Sequence, residues 1–238
     1  MIVHNKNLNN DVGTEPIRKK ITIKITDFNS PQFTESICLY EHSFPPFETR
    51  STEKVKDMLR CDDNYNLSAS LNIDNKVVGI SLMYTFKDLG FGLLDYMAVT
   101  PDCQNKGIGT EIFKFTLDEF MSYIPNGIGL LLEIQKENIP DLQETEIKKR
   151  VKRINFYKRL GVKNLEGVDY LLPPLQPNAQ TEEMYLMIRP LMKTLYLSKE
   201  SIIGFINAIY SRIYECKDSS LFDRVVHRLP EKIYLRDP

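Results

Sequence analysis

Gly107 and Gly109 flank a single isoleucine in PDCQNKGIGTE, residues 101–111, although the 238-residue chain has only eleven glycines. An apolar run, residues 93–99, precedes this stretch, and an apolar-periodic segment follows it. A Gly-rich turn leading from a strand into a helix gathers backbone N–H groups around an anion. The glycines let the backbone come close, the helix end offers unpaired N–H groups and a positive dipole, and Lys106 adds a formal charge. A dinucleotide fingerprint would need a third glycine where Ile112 stands, directly after its strand. Here eight residues, Thr100 to Gly107, separate Val99 from Ile108, although Glu133 does end the next strand. A P-loop is excluded, because no Gly-Lys-Ser/Thr occurs. A tight strand–helix turn that binds nothing is the plain structural alternative.

The elements around the loop follow from periodicity. Residues 21–26, 67–73, 76–83 and 91–99 read as strands, and the second and third of these form a hairpin turned at Asp74-Asn75. Helices are expected over 31–42 and 51–61, separated by Ser43-Phe44-Pro45-Pro46-Phe47, whose prolines end the first. Ile112, Phe113, Leu117, Phe120, Met121 and Ile124 share one face of a helix starting at Ile108. A buried strand over 127–134 and a polar insertion over 136–145 come next. A basic helix over 150–160 then ends at Gly161, and strands follow over 168–172 and 184–188. Beyond Pro190, Ile202, Ile203, Phe205, Ile206, Ile209 and Ile213 describe an amphipathic helix before a charged tail. Its isoleucine stripe either packs on the body or makes a homodimer contact.

The strand–loop–helix stretch LLDYMAVTPDCQNKGIGTEIF resembles the GNAT superfamily of N-acetyltransferases, whose loop has the form (Arg/Gln)-x-x-Gly-x-(Gly/Ala). Asn155-Phe156-Tyr157-Lys158-Arg159-Leu160-Gly161-Val162 is similar to a second block of that family, and the order and separation of the two blocks agree. The resemblance spans residues 20–190. It implies an α+β fold: a mixed, mostly antiparallel central sheet with helices on both faces. A loose N-terminal arm (1–19) precedes the acetyltransferase domain (20–190), and a C-terminal helical extension (191–238) follows it. The implied reaction transfers the acetyl group of acetyl-CoA, a cosubstrate, to a primary amine by direct attack in a ternary complex.

The resemblance also implies roles for residues. Gln104, Asn105, Lys106, Gly107, Ile108, Gly109 and Thr110 would hold the pyrophosphate, mostly through backbone N–H. Met97, Ala98 and Val99 would run beside the pantetheine arm. Tyr157 would donate a hydrogen bond to the departing thiolate. The family often has Asn seven residues before this tyrosine, and Arg150 stands there; an insertion between strand and helix makes Asn138 the matching residue. Asp95 and Glu133 are the candidate general bases, each near the end of a strand that would splay at the active site. Alternation puts Asp95, Met97 and Val99 on one face unless a bulge intervenes. Glu41, Phe44 and Phe47 lie where the family places its acceptor loop, and acids and aromatics there suit a cationic amine.

Composition narrows the partners. Lys+Arg 31 against Asp+Glu 32 leaves a net charge of −1, so no global charge draws the chain to nucleic acid or an anionic membrane. Cys38, Cys61, Cys103 and Cys216 are scattered without metal-ligand spacing, so no metal is expected, and reduced cysteines point to the cytoplasm. The acceptor is a small-molecule or peptide amine. The basic cluster Lys148-Lys149-Arg150 with Lys152-Arg153 reads as a solvated helix face, and His42 as a bland histidine. Two other readings stand beside this one: an acyl-CoA-binding sensor or scaffold of the same fold, and a nucleotide-dependent oxidoreductase.

Overall fold

The computed structural model describes residues 21–45, 48–175 and 180–238. The expected N-terminal arm and Phe47 of the acceptor loop lie outside these residues. The chain runs β1 (Ile21–Lys24), α1 (Pro31–Ser43), α2 (Thr52–Cys61), β2 (Tyr65–Leu71), β3 (Val77–Phe86) and β4 (Phe91–Val99). It continues with α3 (Ile108–Tyr123), β5 (Gly129–Gln135), α4 (Glu144–Arg159), β6 (Lys163–Leu165), β7 (Tyr170–Leu172) and β8 (Glu182–Pro190). The remainder is β9 (Tyr196–Ser198), α5 (Lys199–Ala208), a π-helical turn (Ile209–Ile213), α6 (Ser219–Val226) and β10 (Lys232–Arg236).

The strands form one sheet in the order β1-β2-β3-β4-β5-β8-β6-β10-β9, with β7 also paired to β8. Among the described residues only β4 and β5 pair in parallel. They can do so because α3 crosses over between them. The mixed, mostly antiparallel sheet with helices on both faces is the architecture expected from the sequence. Strand alternation divides the core. Leu131 and Ile188 face α1, α2, α5 and α6, while Leu130, Leu132, Ile134 and Met187 face Phe113 and Phe120 of α3 and Ile154 and Tyr157 of α4.

The C-terminal segment differs from its reading. It is helical in α5 and α6, but the charged tail folds into α6 and β10, and β10 pairs with β6 and β9. Short strands such as Tyr196–Ser198 carry too few residues for a period-2 signal. Ile202, Phe205, Ile206, Ile209 and Ile213 are buried in the same core as α1 and α2, so the isoleucine stripe packs on the body. No described helix is long and apolar enough to cross a membrane.

Candidate active site

β4 and β5 hydrogen-bond from Phe91–Gly129 to Leu94–Leu132 and no further. Beyond that point β4 stays on β3 as far as Val99, and β5 stays on β8 as far as Gln135. The two strands therefore open into a V, leaving the β5-facing edge of β4 unpaired from Tyr96 to Val99. A bulge sharpens the opening. Leu82 pairs with Tyr96 but Met83 with Leu94, so Asp95 is the extra residue on β4. The bulge resets the alternation: Tyr96 joins the α1/α2 side of the core, and Met97 packs on the α3/α4 side. Asp95 thus does not share a face with Met97 and Val99, correcting the simple alternation.

Asp95 is a closed ion pair. Its Oδ2 accepts from Arg50 Nη1 at 2.8 Å and from the Tyr65 hydroxyl at 2.6 Å, and its side chain is only 2% exposed. Arg50 also donates through Nε to the Ile213 carbonyl, and its guanidinium lies 5.0 Å from the Tyr214 ring centroid. Glu133, on the opposite arm of the V, is half-buried and forms no salt bridge among the described residues, although the Arg50 charge acts on it. Its Oε1 accepts from Tyr170 and its Oε2 from Tyr214 at 2.5 Å. Burial pushes this carboxyl up to about 7, against the pull of the two phenols, and the Asp95 charge adds to the rise.

Tyr157 lines the same cleft from α4. Its hydroxyl makes no hydrogen bond to a described residue, and burial pushes it up to about 12, so the phenol stays protonated. Phe44 lines the cleft beside Tyr96, with ring centroids 5.0 Å apart. Glu41 is exposed on α1. At the mouth, Gln135 donates to Glu48 at 2.6 Å and accepts from Arg153 Nη1 at 2.8 Å. Burial first and the Glu182 charge second push the Glu48 carboxyl up.

The loop after β4 holds the anion-type geometry. Gly107 caps α3 at φ 85°, a left-handed conformation that glycine adopts freely, and its position has open space where a Cβ would sit. No side chain caps the helix, so the first-turn N–H groups of Ile108, Gly109 and Thr110 lack intrahelical partners. A Cβ on Gly109 would lie 3.3 Å from Phe156, so α3 and α4 approach closely there. Gln104 Nε2 donates to the Val99 carbonyl and braces the loop on its strand. The open edge of β4, the exposed N–H groups and the space at Gly107 fit a pantetheine–pyrophosphate ligand. Asn138 is exposed in the loop between β5 and α4.

Arg50, Tyr65, Tyr170 and Tyr214 are not singled out by the sequence, because no motif links positions so far apart. Arg150 and Arg153 are a different case. Arg150 is buried and donates to the Lys136 carbonyl at 2.8 Å, and Arg153 reaches Gln135, so the basic cluster is only partly a solvated face. Their three-residue spacing, on the side of α4 that carries Ile154 and Tyr157, is the signal that separates them from the outer lysines.

A mixed sheet split between a parallel pair of strands, with a helix N-terminus at the split, is the architecture that the sequence resemblance implies. Residues 67–164, from β2 to β6, match the family model for the acetyltransferase (GNAT) domain. That stretch carries an acetyltransferase (GNAT) domain, which supports an acyltransferase of the GNAT superfamily. A solved protein from Bacteroides thetaiotaomicron assigned to that family is 23% identical, with 83% of this chain and 99% of that chain covered and a TM-score of 0.64. The ribosomal-protein-S18-alanine N-acetyltransferase of Escherichia coli is 16% identical, covering 75% and 100%, with a TM-score of 0.51. An aminoglycoside 6'-N-acetyltransferase solved with coenzyme A is 19% identical, covering 73% and 98%, with a TM-score of 0.54. No curated protein sequence matches the chain.

Proposed function

We propose that this chain is an acetyl-CoA-dependent N-acetyltransferase acting on a primary amine in a ternary complex, with Glu133 as general base and Tyr157 as thiolate partner. The observation that carries this reading is their pairing in one cleft. A carboxyl raised to about 7 and an unpartnered phenol line the V, which opens beside the α3 N-terminus.

The backbone N–H groups of Ile108, Gly109 and Thr110 hold the pyrophosphate, with Gln104, Asn105, Lys106 and Gly107 shaping the loop. The open edge of Met97, Ala98 and Val99 runs beside the pantetheine. Glu133 takes a proton from the acceptor ammonium, which leaves a neutral amine. The amine nitrogen attacks the thioester carbonyl, and collapse of the adduct breaks the C–S bond and forms the amide. The second amine proton passes, directly or through solvent, to the leaving sulfur, and Glu133 releases the proton it took to solvent. Tyr157 donates a hydrogen bond to the thiolate, which ends the cycle as the thiol. Asp95 is assigned to holding Arg50 and Tyr65 rather than to proton transfer, because both hydrogen-bond donors already engage its Oδ2. Phe44 and Glu48 line the acceptor side, the exposed Glu41 is assigned to the acceptor, and the exposed Asn138 is assigned to the cofactor. A cytoplasmic location belongs to this reading and rests on the free cysteines.

Thiol release from acetyl-CoA with a panel of primary amines, each product weighed by mass spectrometry, tests the reading. Glu133→Gln is expected to lower kcat by about 100- to 10,000-fold and remove the acidic limb near pH 7. Tight coenzyme A binding with no turnover on any amine would favour a sensor instead.

A further inference from the structure

We propose that Tyr214, delivered by the C-terminal extension, is a positioning residue for acyl transfer: with Tyr170 it orients and holds the Glu133 carboxylate. The extension is then a structural part of the active site. This inference rests on Glu133 being the base.

The geometry comes from an irregularity in the helix. α5 passes at Ala208 into the π-helical turn Ile209–Ile213, where the Tyr214 N–H donates to the Ile209 carbonyl at 3.2 Å, five residues back. π-turns interrupt helices frequently at functional sites, because one extra residue re-aims the side chains that follow. Here Ile209, Tyr210 and Ile213 stay in the core while Tyr214 is turned into the cleft. Its hydroxyl donates to Glu133 Oε2 as Tyr170 donates to Oε1, so each carboxylate oxygen has one donor. One residue earlier, the Ile213 carbonyl accepts from Arg50, which holds Asp95. The extension therefore grips both arms of the V.

A carboxylate with a phenol on each oxygen is fixed in plane, with its remaining lone pairs turned toward the cleft. Both phenols favour the charged form, opposing the burial that raises Glu133. The groups facing Glu133 are Tyr170 on β7, Tyr210 and Tyr214 at the π-turn, Asp95 on β4 and Arg50 before α2. Tyr157 and Arg153 on α4 and Glu48 share its cleft. Of these, only Tyr170 and Tyr214 hydrogen-bond it among the described residues.

Tyr214→Phe keeps the ring over Arg50 and removes only the donor. The acidic limb of kcat/KM is expected to move up by about one pH unit. The carbon-13 titration of the Glu133 carboxyl, assigned by its loss in Glu133→Gln, should move with it. Tyr170→Phe is the second variant and should shift the same way. Tyr210→Phe is the control: its hydroxyl donates to the Leu171 carbonyl, so it should lower the melting temperature without moving the titration. An unmoved Glu133 titration in both Tyr214→Phe and Tyr170→Phe overturns the inference. Wild-type protein that acetylates no amine, or a Glu133→Gln variant with full turnover, refutes the base assignment instead. The carboxyl titration still decides the Tyr214 contact in that case.

Discussion

Two carboxylates sit at the fork of β4 and β5 with opposite surroundings. Asp95 is ion-paired with a guanidinium, whereas Glu133 is hydrogen-bonded by two phenols and feels the Arg50 charge without forming an ion pair with it. An acid poised near neutrality follows from desolvation that outweighs the two phenol hydrogen bonds and the Arg50 charge. The sign of the linked stability is fixed by that rise. Glu133 lies at about 7 in the fold against an ordinary 4.5, so folding takes up protons between those values. Its contribution to stability is complete below about pH 4.5 and is lost as pH rises through about 7. The melting temperature of Glu133→Gln relative to wild type should therefore rise between about pH 5 and about pH 8. A difference that stays flat across this range would mean that Glu133 is not raised. Arg50 was invisible as a site residue because an arginine after a proline-rich turn carries no local mark of its partner 45 positions on.

At the scale of elements, the loop proposed for the cofactor is built from local backbone geometry and the cleft proposed for the acceptor from packing. The loop of 104–110 was legible because glycines at fixed spacing between a strand and a helix already specify a cap with free N–H groups. Gly107 has φ 85° and open space at its Cβ position, so Gly107→Ala meets no atom and costs only the left-handed backbone, about 1–2 kcal/mol. The expected result is a lowered melting temperature and a smaller stabilising shift from coenzyme A. An unchanged shift would remove this loop from cofactor binding. The bulge at Asp95 was foreseen only as an exception, since alternation reads the same with or without one extra residue until the partner strand is known.

On the scale of the whole molecule, the extension is welded to the catalytic body by burial. Ile202, Ile206 and Ile209 have no exposure in the core shared with α1, α2 and the sheet. Ile206→Ala should destabilise the protein by about 2–5 kcal/mol, read as a loss of melting temperature and denaturant midpoint. A cost below about 1 kcal/mol would mean that α5 docks loosely. β10 reinforces the weld by pairing with β6, so residues from both ends of the chain's second half share one sheet.

By itself the sequence determined the element types around the cofactor loop, the mixed sheet with helices on both faces and the GNAT resemblance. The element types and the loop depend on periodicity or spacing within about 20 residues, where chain connectivity already fixes geometry, and the mixed sheet is what the resemblance implies. Tertiary structure alone decided that the isoleucine stripe faces inward, that the charged tail is α6 and β10, and that Asp95 is ion-paired while Glu133 is held by two phenols. Those outcomes hinge on contacts between Arg50 and Asp95, Tyr170 and Glu133, and Tyr214 and Glu133, across 37 to 81 positions. Burial and hydrogen-bond partners at such separations are properties of the folded chain, and no local pattern encodes them.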